Sequence, residues 1–375
     1  MITKHVINIG NSQNLKEVED ESVNLIVTSP PYPMIEMWDE IFSKLNPSIA
    51  DALNDENGAE AYNLMNEELD KVWAEVDRVL APAGIACINI GDATRKIGNS
   101  FQLYSNHSKI INCFEQMGYQ VLPDILWRKQ SNKPNKFMGS GMLPTNAYVT
   151  LEHEYILIFR KGGNRDFKKQ EDKENRRDSA YFWEERNVWF SDVWEDVKGT
   201  SQKLGDKKLR DRNGAYPFEL AYRLINMYSV KGDTVLDPFL GTGTTIMASI
   251  ASGRNSIGYE IDSNFKPFII DGIMNSVELS NERITKRVAD HILFVRDREE
   301  QKGALKHVSD VYNFSVMTNQ EKKLSFATVK ELNNEDGVIT ATYTPLEFEY
   351  LRDNSSADEK DKKEPKQKKT KQMTL

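Results

Sequence analysis

The sequence predicts an α/β fold built on a mostly parallel sheet with helices on both faces. Strand and helix patterns alternate along most of the 375 residues. The stretch "VNLIVTS" (23–29) is short, apolar and bounded by turn residues, as in a strand buried on both faces. The stretch "TVLDPFLGTGTTIMAS" (234–249) passes from a strand through two glycines into a helix. Alternation of this kind is typical of a parallel sheet covered by helices.

The individual elements follow from the spacing of apolar residues. After the strand at 23–29, apolar residues spaced by three and four predict a helix over 62–80, which "APAG" ends. The next elements expected are a strand at 85–92, a helix at 103–118, strands at 119–129 and 153–161, a helix at 218–229, and strands at 233–239 and 255–262. The segment 130–150 is rich in Gly, Pro, Asn and Ser, which predicts a long exposed loop.

Three parts are expected along the chain. Residues 1–290 carry the α/β pattern and predict one main domain. Residues 291–352 contain short strand patterns such as "GVITATYTP", which predict a small strand-rich appendage. Residues 353–375 have no apolar periodicity and many lysines, which predicts a disordered tail.

Composition and cysteine spacing limit the class of protein. The net charge of −8 argues against a nucleic-acid partner unless cations cluster locally. No run of 18 or more apolar residues occurs, and the N-terminus is too short and polar for a signal peptide. Cys87 and Cys113 lack metal-ligand spacing, so two reduced thiols and no metal site are expected. A soluble cytoplasmic protein is therefore expected.

A glycine turn followed by an acidic residue points to a nucleoside cofactor. Gly241 and Gly243 follow the strand that ends in Asp237, where backbone can pass close to a ligand. Glu260 ends the next strand about 20 residues on, where a carboxylate can accept hydrogen bonds from both ribose hydroxyls. Neither a Gly-Lys-Ser/Thr sequence nor the third glycine of the dinucleotide pattern is present. A nucleoside without a pyrophosphate is therefore expected.

Three motifs together resemble those of a known enzyme family. "TSPPY" (28–32), "DPFLGTGTT" (237–245) and "GYEID" (258–262) resemble the S-adenosylmethionine-dependent DNA amino-methyltransferases, which alkylate an exocyclic amine of cytosine or adenine. The catalytic motif comes before the cofactor motif, which is the circularly permuted order of the beta group. The resemblance covers roughly residues 5–270. It implies a Rossmann-like methyltransferase fold, S-adenosyl-L-methionine as cofactor, base flipping and a target-recognition insertion at about 129–200.

The motif Ser29, Pro30, Pro31 and Tyr32 suits the methylation of an amine. The exocyclic amine of a base is a poor nucleophile because its lone pair is delocalised into the ring. Two prolines fix φ and remove N–H donors, so a rigid strand end presents acceptors, with the Ser29 hydroxyl and the Pro30 carbonyl as the expected pair. Tyr32 is expected to stack on the flipped base. No metal or covalent intermediate is needed, because the sulfonium methyl is already activated.

The cofactor-binding residues are expected around the glycine turn. By the resemblance, they are Asp237, Pro238, Phe239, Gly241 and Gly243, with Glu260 on the ribose. Phe239 fits a place in the core equally well. Weaker candidates are Tyr216, Pro217 and Phe218 before the cofactor strand. For Asp92 there are two interpretations: its side chain faces the base or the cofactor, or it caps the end of a strand.

Ser29 also bears on which base is modified. In the family, serine at this position favours N4 of cytosine, whereas aspartate favours N6 of adenine. Carbon-5 methylation uses a cysteine that usually follows a proline, and neither Cys87 nor Cys113 does. The expected activity is sequence-specific N4-cytosine methylation of DNA in a restriction-modification system. N6-adenine methylation of DNA is the main alternative, ahead of an RNA or protein substrate and of a catalytically silent DNA-binding relative.

A basic segment in this acidic protein predicts where DNA binds. Between Lys129 and Arg177 there are 11 Lys or Arg residues against 6 Asp or Glu residues. Neutralising phosphates and reading base edges both need such residues. The side chains expected to contact DNA are Lys133, Lys136, Arg165, Lys168, Lys169, Arg176 and Arg177. The expected partners are double-stranded DNA and a cognate restriction endonuclease, in a prokaryotic cytoplasm with nucleoid association and no membrane contact.

Overall fold

The protein is built from short strands and helices that alternate along the chain. The computed structural model describes residues 1–129, 138–198 and 216–347. The strands of this part are β1 (Ile2–Ile9), β2 (Val23–Thr28), β3 (Leu80–Ile90), β4 (Ala93–Ile97), β5 (Ser100–Tyr104), β6 (Gln120–Arg128), β7 (Met138–Gly139), β8 (Ala147–Tyr148), β9 (His153–Arg160), β10 (Val193–Trp194), β11 (Thr234–Asp237), β12 (Asn255–Glu260), β13 (His307–Val308), β14 (Ser315–Val316), β15 (Ala327–Glu335) and β16 (Val338–Pro345).

Ten of these strands form one large sheet whose centre is parallel. Their order is β10, β6, β9, β3, β2, β11, β12, β1, β16 and β15. The five strands from β3 to β1 are joined by parallel pairings. In contrast, β9 is antiparallel to both of its neighbours, β3 and β6. The mostly parallel sheet predicted from the sequence is therefore confirmed.

Helices cover both faces of the sheet. They are α1 (Asp39–Leu45), α2 (Ser48–Asn54), α3 (Gly58–Val79), α4 (Asn106–Gln116), α5 (Gln170–Asp178), α6 (Trp183–Trp189), α7 (Phe218–Tyr228), α8 (Thr244–Ser252), α9 (Lys266–Met274) and α10 (Val277–Lys302). Buried residues of α3 and α4 form the core on one face, and buried residues of α7 and α8 form the core on the other. The helix expected at 62–80 begins earlier, because the Asn57 side chain caps it by accepting from the Glu60 N–H.

Strand register brings the sequence motifs to one edge of the sheet. Leu25 of β2 pairs with Val235 of β11, and Ile26 pairs with Leu236. The segments that follow β2, β11 and β12 therefore leave the sheet side by side. We call this edge the carboxyl edge, because the parallel strands end there. Ligands of open α/β sheets bind at such an edge.

The C-terminal part differs from the sequence prediction. Helix α10 runs straight through residue 290, where a domain boundary is expected. Strand β16 pairs with β1 and strand β15 pairs with β16, so residues 327–345 extend the large sheet. Their buried side chains share a core with α8 and α9. The pairing covers the edge of β1, which would otherwise present unpaired backbone groups. This segment is part of the main body, and the tail expected at 353–375 lies outside the described residues.

The described part of the chain lacks both a membrane-spanning helix and a cluster of metal ligands. No helix there is long and apolar enough to cross a membrane. No group of three or more His, Cys, Asp or Glu side chains among those residues is placed to hold a metal ion. Cys87 is buried and Cys113 is half-buried, and both are free thiols.

Candidate active site

Asp237 joins β2 and β11 at the carboxyl edge. Thr28 Oγ1 and the Phe239 N–H donate to Asp237 Oδ1 at 2.6 and 3.0 Å. Thr245 Oγ1 and the Tyr216 hydroxyl donate to Oδ2 at 2.5 and 3.1 Å. Burial raises the pKa of the Asp237 carboxyl, while these hydrogen bonds act to lower it. Asp237 is expected to contact the cofactor, but its side chain is 1% exposed and both oxygens bind protein donors.

An open cavity lies at the carboxyl edge beside Asp237. Six residues predicted from the sequence line it, namely Ser29, Pro31, Pro238, Phe239, Gly241 and Glu260. The cavity therefore brings the catalytic and cofactor motifs together. Sequence reasoning missed the rest of the wall, which includes Gln13, Trp38, Phe42, Leu69 and Val72. One available signal was Gly10 directly after β1, whose N–H donates to the Glu260 carbonyl oxygen at 2.9 Å.

Glu260 is held in place by backbone donors. The Gly241 N–H donates to Glu260 Oε2 at 2.9 Å, and the Asp262 N–H donates to Oε1 at 3.0 Å. Burial raises the pKa of the Glu260 carboxyl above its ordinary value. A carboxylate offers about four lone-pair sites, so two such bonds leave acceptor capacity toward the cavity. Glu260 therefore suits the ribose contact expected from the sequence.

The two glycines of the turn have different roles. Gly241 has φ +54° and Gly243 has φ +88°, in the left-handed region that favours glycine. Gly241 lines the cavity, so the absent side chain leaves backbone open to a ligand. A Cβ on Gly243 would lie 3.1 Å from Ile269 Cγ2. Gly243 therefore allows close packing between the turn and α9, a contact that the sequence did not show.

The catalytic motif carries a hydrogen-bond network. Pro30 is buried, whereas Ser29, Pro31 and Tyr32 are half-buried. The Tyr32 hydroxyl donates to Glu154 Oε2 at 2.9 Å and lies 3.1 Å from Ser29 Oγ. Burial and the neighbouring Glu154 raise the pKa of Tyr32 well above its ordinary value. The hydroxyl end of Tyr32 is thus enclosed by polar partners, and the residue packs against the core.

Sequence reasoning missed the side chains that support this motif. Asn89 lies on β3 and Glu154 on β9, and both are buried. Asn89 Nδ2 donates to the Tyr32 hydroxyl at 2.8 Å and to Glu154 Oε2 at 2.7 Å. Lys129 Nζ donates to Glu154 Oε1 at 2.7 Å. The available signal was a polar residue within each of two apolar strands, "IACINIGD" and "HEYILIFRK".

The weaker candidates have structural partners. The Asp92 carboxylate accepts from the His107 N–H at 3.1 Å in the first turn of α4 and lies 2.8 Å from His107 Nδ1. Asp92 therefore caps this helix, a role that the sequence did not show. Pro217 is the residue before α7, and Phe218 stacks on Tyr222 with ring centres 5.7 Å apart.

Among the residues that the structure describes, the basic side chains expected to bind DNA are not near the cavity. Lys133 and Lys136 lie outside the described residues. Arg165 pairs with Asp233, which directly precedes β11, at the end opposite the carboxyl edge. Helix α5 follows on the same side, where Asn175 donates to the Lys231 carbonyl oxygen at 2.8 Å. The structure therefore places Arg165, Lys168, Lys169, Arg176 and Arg177 on the other side of the sheet from Ser29.

The reason is the direction of β9. Near its beginning, Tyr155 of β9 pairs with Ile90, the last residue of β3, next to the catalytic motif. The last residue of β9, Arg160, pairs with Ile85 in the first half of β3. An antiparallel strand of eight residues carries the chain about 25 Å, from one edge of the sheet to the other. Strand β9 thus divides the expected basic segment, and Lys129, which comes before β9, pairs with Glu154 beside the site.

Comparison with known proteins agrees with the geometry. The family model for DNA methylases (N6_N4_Mtase) matches residues 23–271. Type II methyltransferase M.MthZI of Methanothermobacter thermautotrophicus is 60% identical over 340 residues, covering 90% of this chain and 94% of the relative. Type II methyltransferase M.MjaI of Methanocaldococcus jannaschii is 55% identical over 282 residues, covering 72% of this chain and 91% of the relative.

A solved structure shares the fold. TTHA0409 of Thermus thermophilus is described as a putative DNA modification methylase in complex with S-adenosyl-L-methionine. It is 30% identical, with a TM-score of 0.56, and the match covers 73% of this chain and 96% of that one. The family, the Rossmann-like fold and the cofactor expected from the sequence are confirmed. The chain belongs to the N6/N4 family of S-adenosylmethionine-dependent DNA methylases.

Proposed function

We propose that this protein transfers a methyl group to the N4 amine of cytosine at a specific site in double-stranded DNA. The observation that carries the proposal is the position of Ser29, which lines the same cavity as Gly241 and Glu260. Serine in this motif favours cytosine in the family that the sequence resembles. Relatives named Type II methyltransferases support a role in restriction and modification, with a cognate endonuclease as partner.

The cavity fits S-adenosylmethionine. Glu260 has acceptor capacity for ribose hydroxyls, and Gly241 leaves backbone open beside it. Phe239 and Trp38 give the wall apolar surface suited to a planar adenine. When bound, the cofactor supplies a methyl group on a sulfonium, which needs no further activation.

The chain's own contribution is to orient the amine. Ser29 Oγ and the Pro30 carbonyl oxygen accept hydrogen bonds from the amine N–H groups. The nitrogen can then become pyramidal, with its lone pair facing the cavity. Pro30 is buried, so the strand end that carries these acceptors is rigid. Such positioning of a preorganised polar group is a major source of catalysis.

We infer that target recognition uses the segment that adjoins the carboxyl edge. Of this segment the structure describes residues 138–152, which lead into β9 and contain the hairpin formed by β7 and β8. Tyr148 of β8 stacks on Phe101 of β5 with ring centres 4.6 Å apart, which links this hairpin to the one formed by β4 and β5. Met142 and Val149 are 88% and 85% exposed, so apolar surface faces outward here. Exposed apolar side chains next to a base-flipping site suit contact with unstacked bases.

Nucleoside mass spectrometry tests the proposal. DNA is isolated from a host without N4-methylcytosine that expresses the wild type, and from a control culture that expresses Ser29→Ala. We expect N4-methylcytosine only with the wild type, and sequencing with modification detection gives the site. N6-methyladenine alone would overturn the base assignment, and DNA with neither modification would overturn the proposed activity.

A further inference from the structure

A buried carboxylate lies behind the catalytic motif. Glu154 is 8% exposed, and three side chains donate to it. They are the Tyr32 hydroxyl at 2.9 Å, Asn89 Nδ2 at 2.7 Å and Lys129 Nζ at 2.7 Å. The carboxylate forms an ion pair with the Lys129 ammonium group and accepts charge-assisted hydrogen bonds. Glu154 therefore acts as an acceptor toward all three.

The hydrogen bonds then have one consistent direction. Because an ionised carboxylate can only accept, the single proton of the Tyr32 hydroxyl points to Glu154. The Tyr32 oxygen is left to accept from Asn89 Nδ2 at 2.8 Å and from the Ser29 hydroxyl at 3.1 Å. The Ser29 proton is thereby directed to Tyr32. Asn89 Nδ2 also donates to Ser29 Oγ, at 3.4 Å, which leaves one lone pair of Ser29 Oγ available to the cavity that this residue lines.

We propose that Glu154 is a positioning residue that sets Ser29 Oγ as the hydrogen-bond acceptor for the target amine. The inference rests on the proposed function, because it requires an amine N–H at Ser29. If the Tyr32 proton pointed to Ser29 instead, it would occupy a lone pair that the amine needs. Hydrogen bonds in a chain also polarise one another, so the charge of Glu154 makes Ser29 Oγ a stronger acceptor.

Glu154→Gln tests this directly, because it removes the charge and keeps the shape. The Lys129 ammonium group attracts the amide oxygen, so the amide NH₂ faces Tyr32 and reverses the direction of the chain. We expect the single-turnover methylation rate to fall on the order of 10- to 100-fold, as when one preorganised polar group is lost. The dissociation constants for S-adenosylmethionine and DNA, and the melting temperature, should stay near those of the wild type.

Asp290→Asn is the matched control. Asp290 pairs with Lys286 at 2.7 Å on the surface of α10, with its side chain 54% exposed. This variant makes the same change from carboxylate to amide without touching Tyr32. We expect the wild-type rate. A Glu154→Gln rate equal to that of Asp290→Asn would overturn the positioning role.

Tyr32→Phe separates positioning from a general structural effect. If Glu154 acts through the Tyr32 hydroxyl, adding Glu154→Gln to Tyr32→Phe should lower the rate by less than about threefold more, since coupled residues are not additive. Losses that multiply would contradict the inference. If Glu154→Gln does not fold, the methylation rate of Tyr32→Phe alone tests the inference. A wild-type rate for Tyr32→Phe would overturn the positioning role of Glu154.

Different outcomes would overturn the proposed function and the proposed role of Glu154. A wild-type protein that methylates no DNA amine overturns the proposed function, and the role of Glu154 with it. An active wild type whose Glu154→Gln variant is equally active overturns only the role of Glu154.

Discussion

Replacing Asp237 by alanine tests whether this buried carboxylate holds the cofactor strand and the catalytic strand together. Two of its four donors have another acceptor, because the Tyr216 and Thr245 hydroxyls each lie 3.4 Å from the Val27 carbonyl oxygen. The Thr28 hydroxyl and the Phe239 N–H donate to Asp237 at 2.6 and 3.0 Å. In the alanine variant these two donors lose their acceptor at the junction of β2 and β11.

The size of the effect follows from this count. Each buried donor without an acceptor costs about 1–3 kcal/mol, so the two together cost about 2–6 kcal/mol. Removing a buried charge, whose desolvation raises the pKa of Asp237, offsets part of this cost. We expect Asp237→Ala to lower the free energy of unfolding by about 3–5 kcal/mol, as when one partner of a buried charged network is removed. Asp237→Asn keeps one accepting oxygen and should lower it by about 1–2 kcal/mol.

Urea unfolding measures this difference. The midpoint and slope are compared among the wild type, both Asp237 variants and Asp290→Ala. Asp290 pairs with Lys286 at 2.7 Å with its side chain 54% exposed, so its loss should change the free energy of unfolding by at most about 0.5 kcal/mol. An Asp237→Ala protein as stable as Asp290→Ala would refute the reasoning that Asp237 joins the two strands.

Two further predictions concern the cofactor and DNA. Burial raises the pKa of Glu260, so its carboxylate takes up a proton at higher pH than an exposed glutamate does. The affinity of the wild type for S-adenosylmethionine should therefore fall as the pH decreases through this raised pKa. Glu260→Gln should bind S-adenosylmethionine on the order of 10-fold more weakly at neutral pH, and its affinity should not vary with pH in this way. Calorimetry across a pH series measures both effects. Lys168→Ala with Lys169→Ala should leave DNA affinity and its salt dependence unchanged, because both residues follow β9 on the side away from Ser29. A decrease of about 0.9 in the salt slope for each lysine would instead show phosphate contacts.

The parts of the site that could be predicted are those with a local signal. The glycine turn, the two prolines after β2 and the acidic end of β12 are each read from a few consecutive residues. Their meeting point also follows from the sequence, because parallel strands end at one edge of a sheet. Asp237 shows the limit of this reading, since the motif does not reveal that its carboxylate turns into the protein toward Thr28 and Thr245.

The supporting residues could not be predicted because they depend on pairing between distant strands. Asn89 pairs with Ile156 on β9, and Glu154 pairs with Trp127 on β6. These two registers place Asn89, Glu154 and Lys129 around the Tyr32 hydroxyl. No spacing along the chain records that arrangement, and a single polar residue in an apolar strand is a weak signal.

The division of the expected basic segment could not be predicted for a related reason. A count of charges treats residues 129–177 as one surface. Strand β9 lies inside this range, however, and carries the chain from the carboxyl edge to the opposite end of the strands. Lys129, before β9, pairs with Glu154 next to Tyr32, whereas Arg165 after β9 pairs with Asp233 at the opposite edge. Within α5, Glu171 and Asp172 accompany Arg176 and Arg177, so this second surface is of mixed charge. A mixed surface on the far side of the sheet gains little from phosphate contact, which supports DNA recognition by the segment before β9.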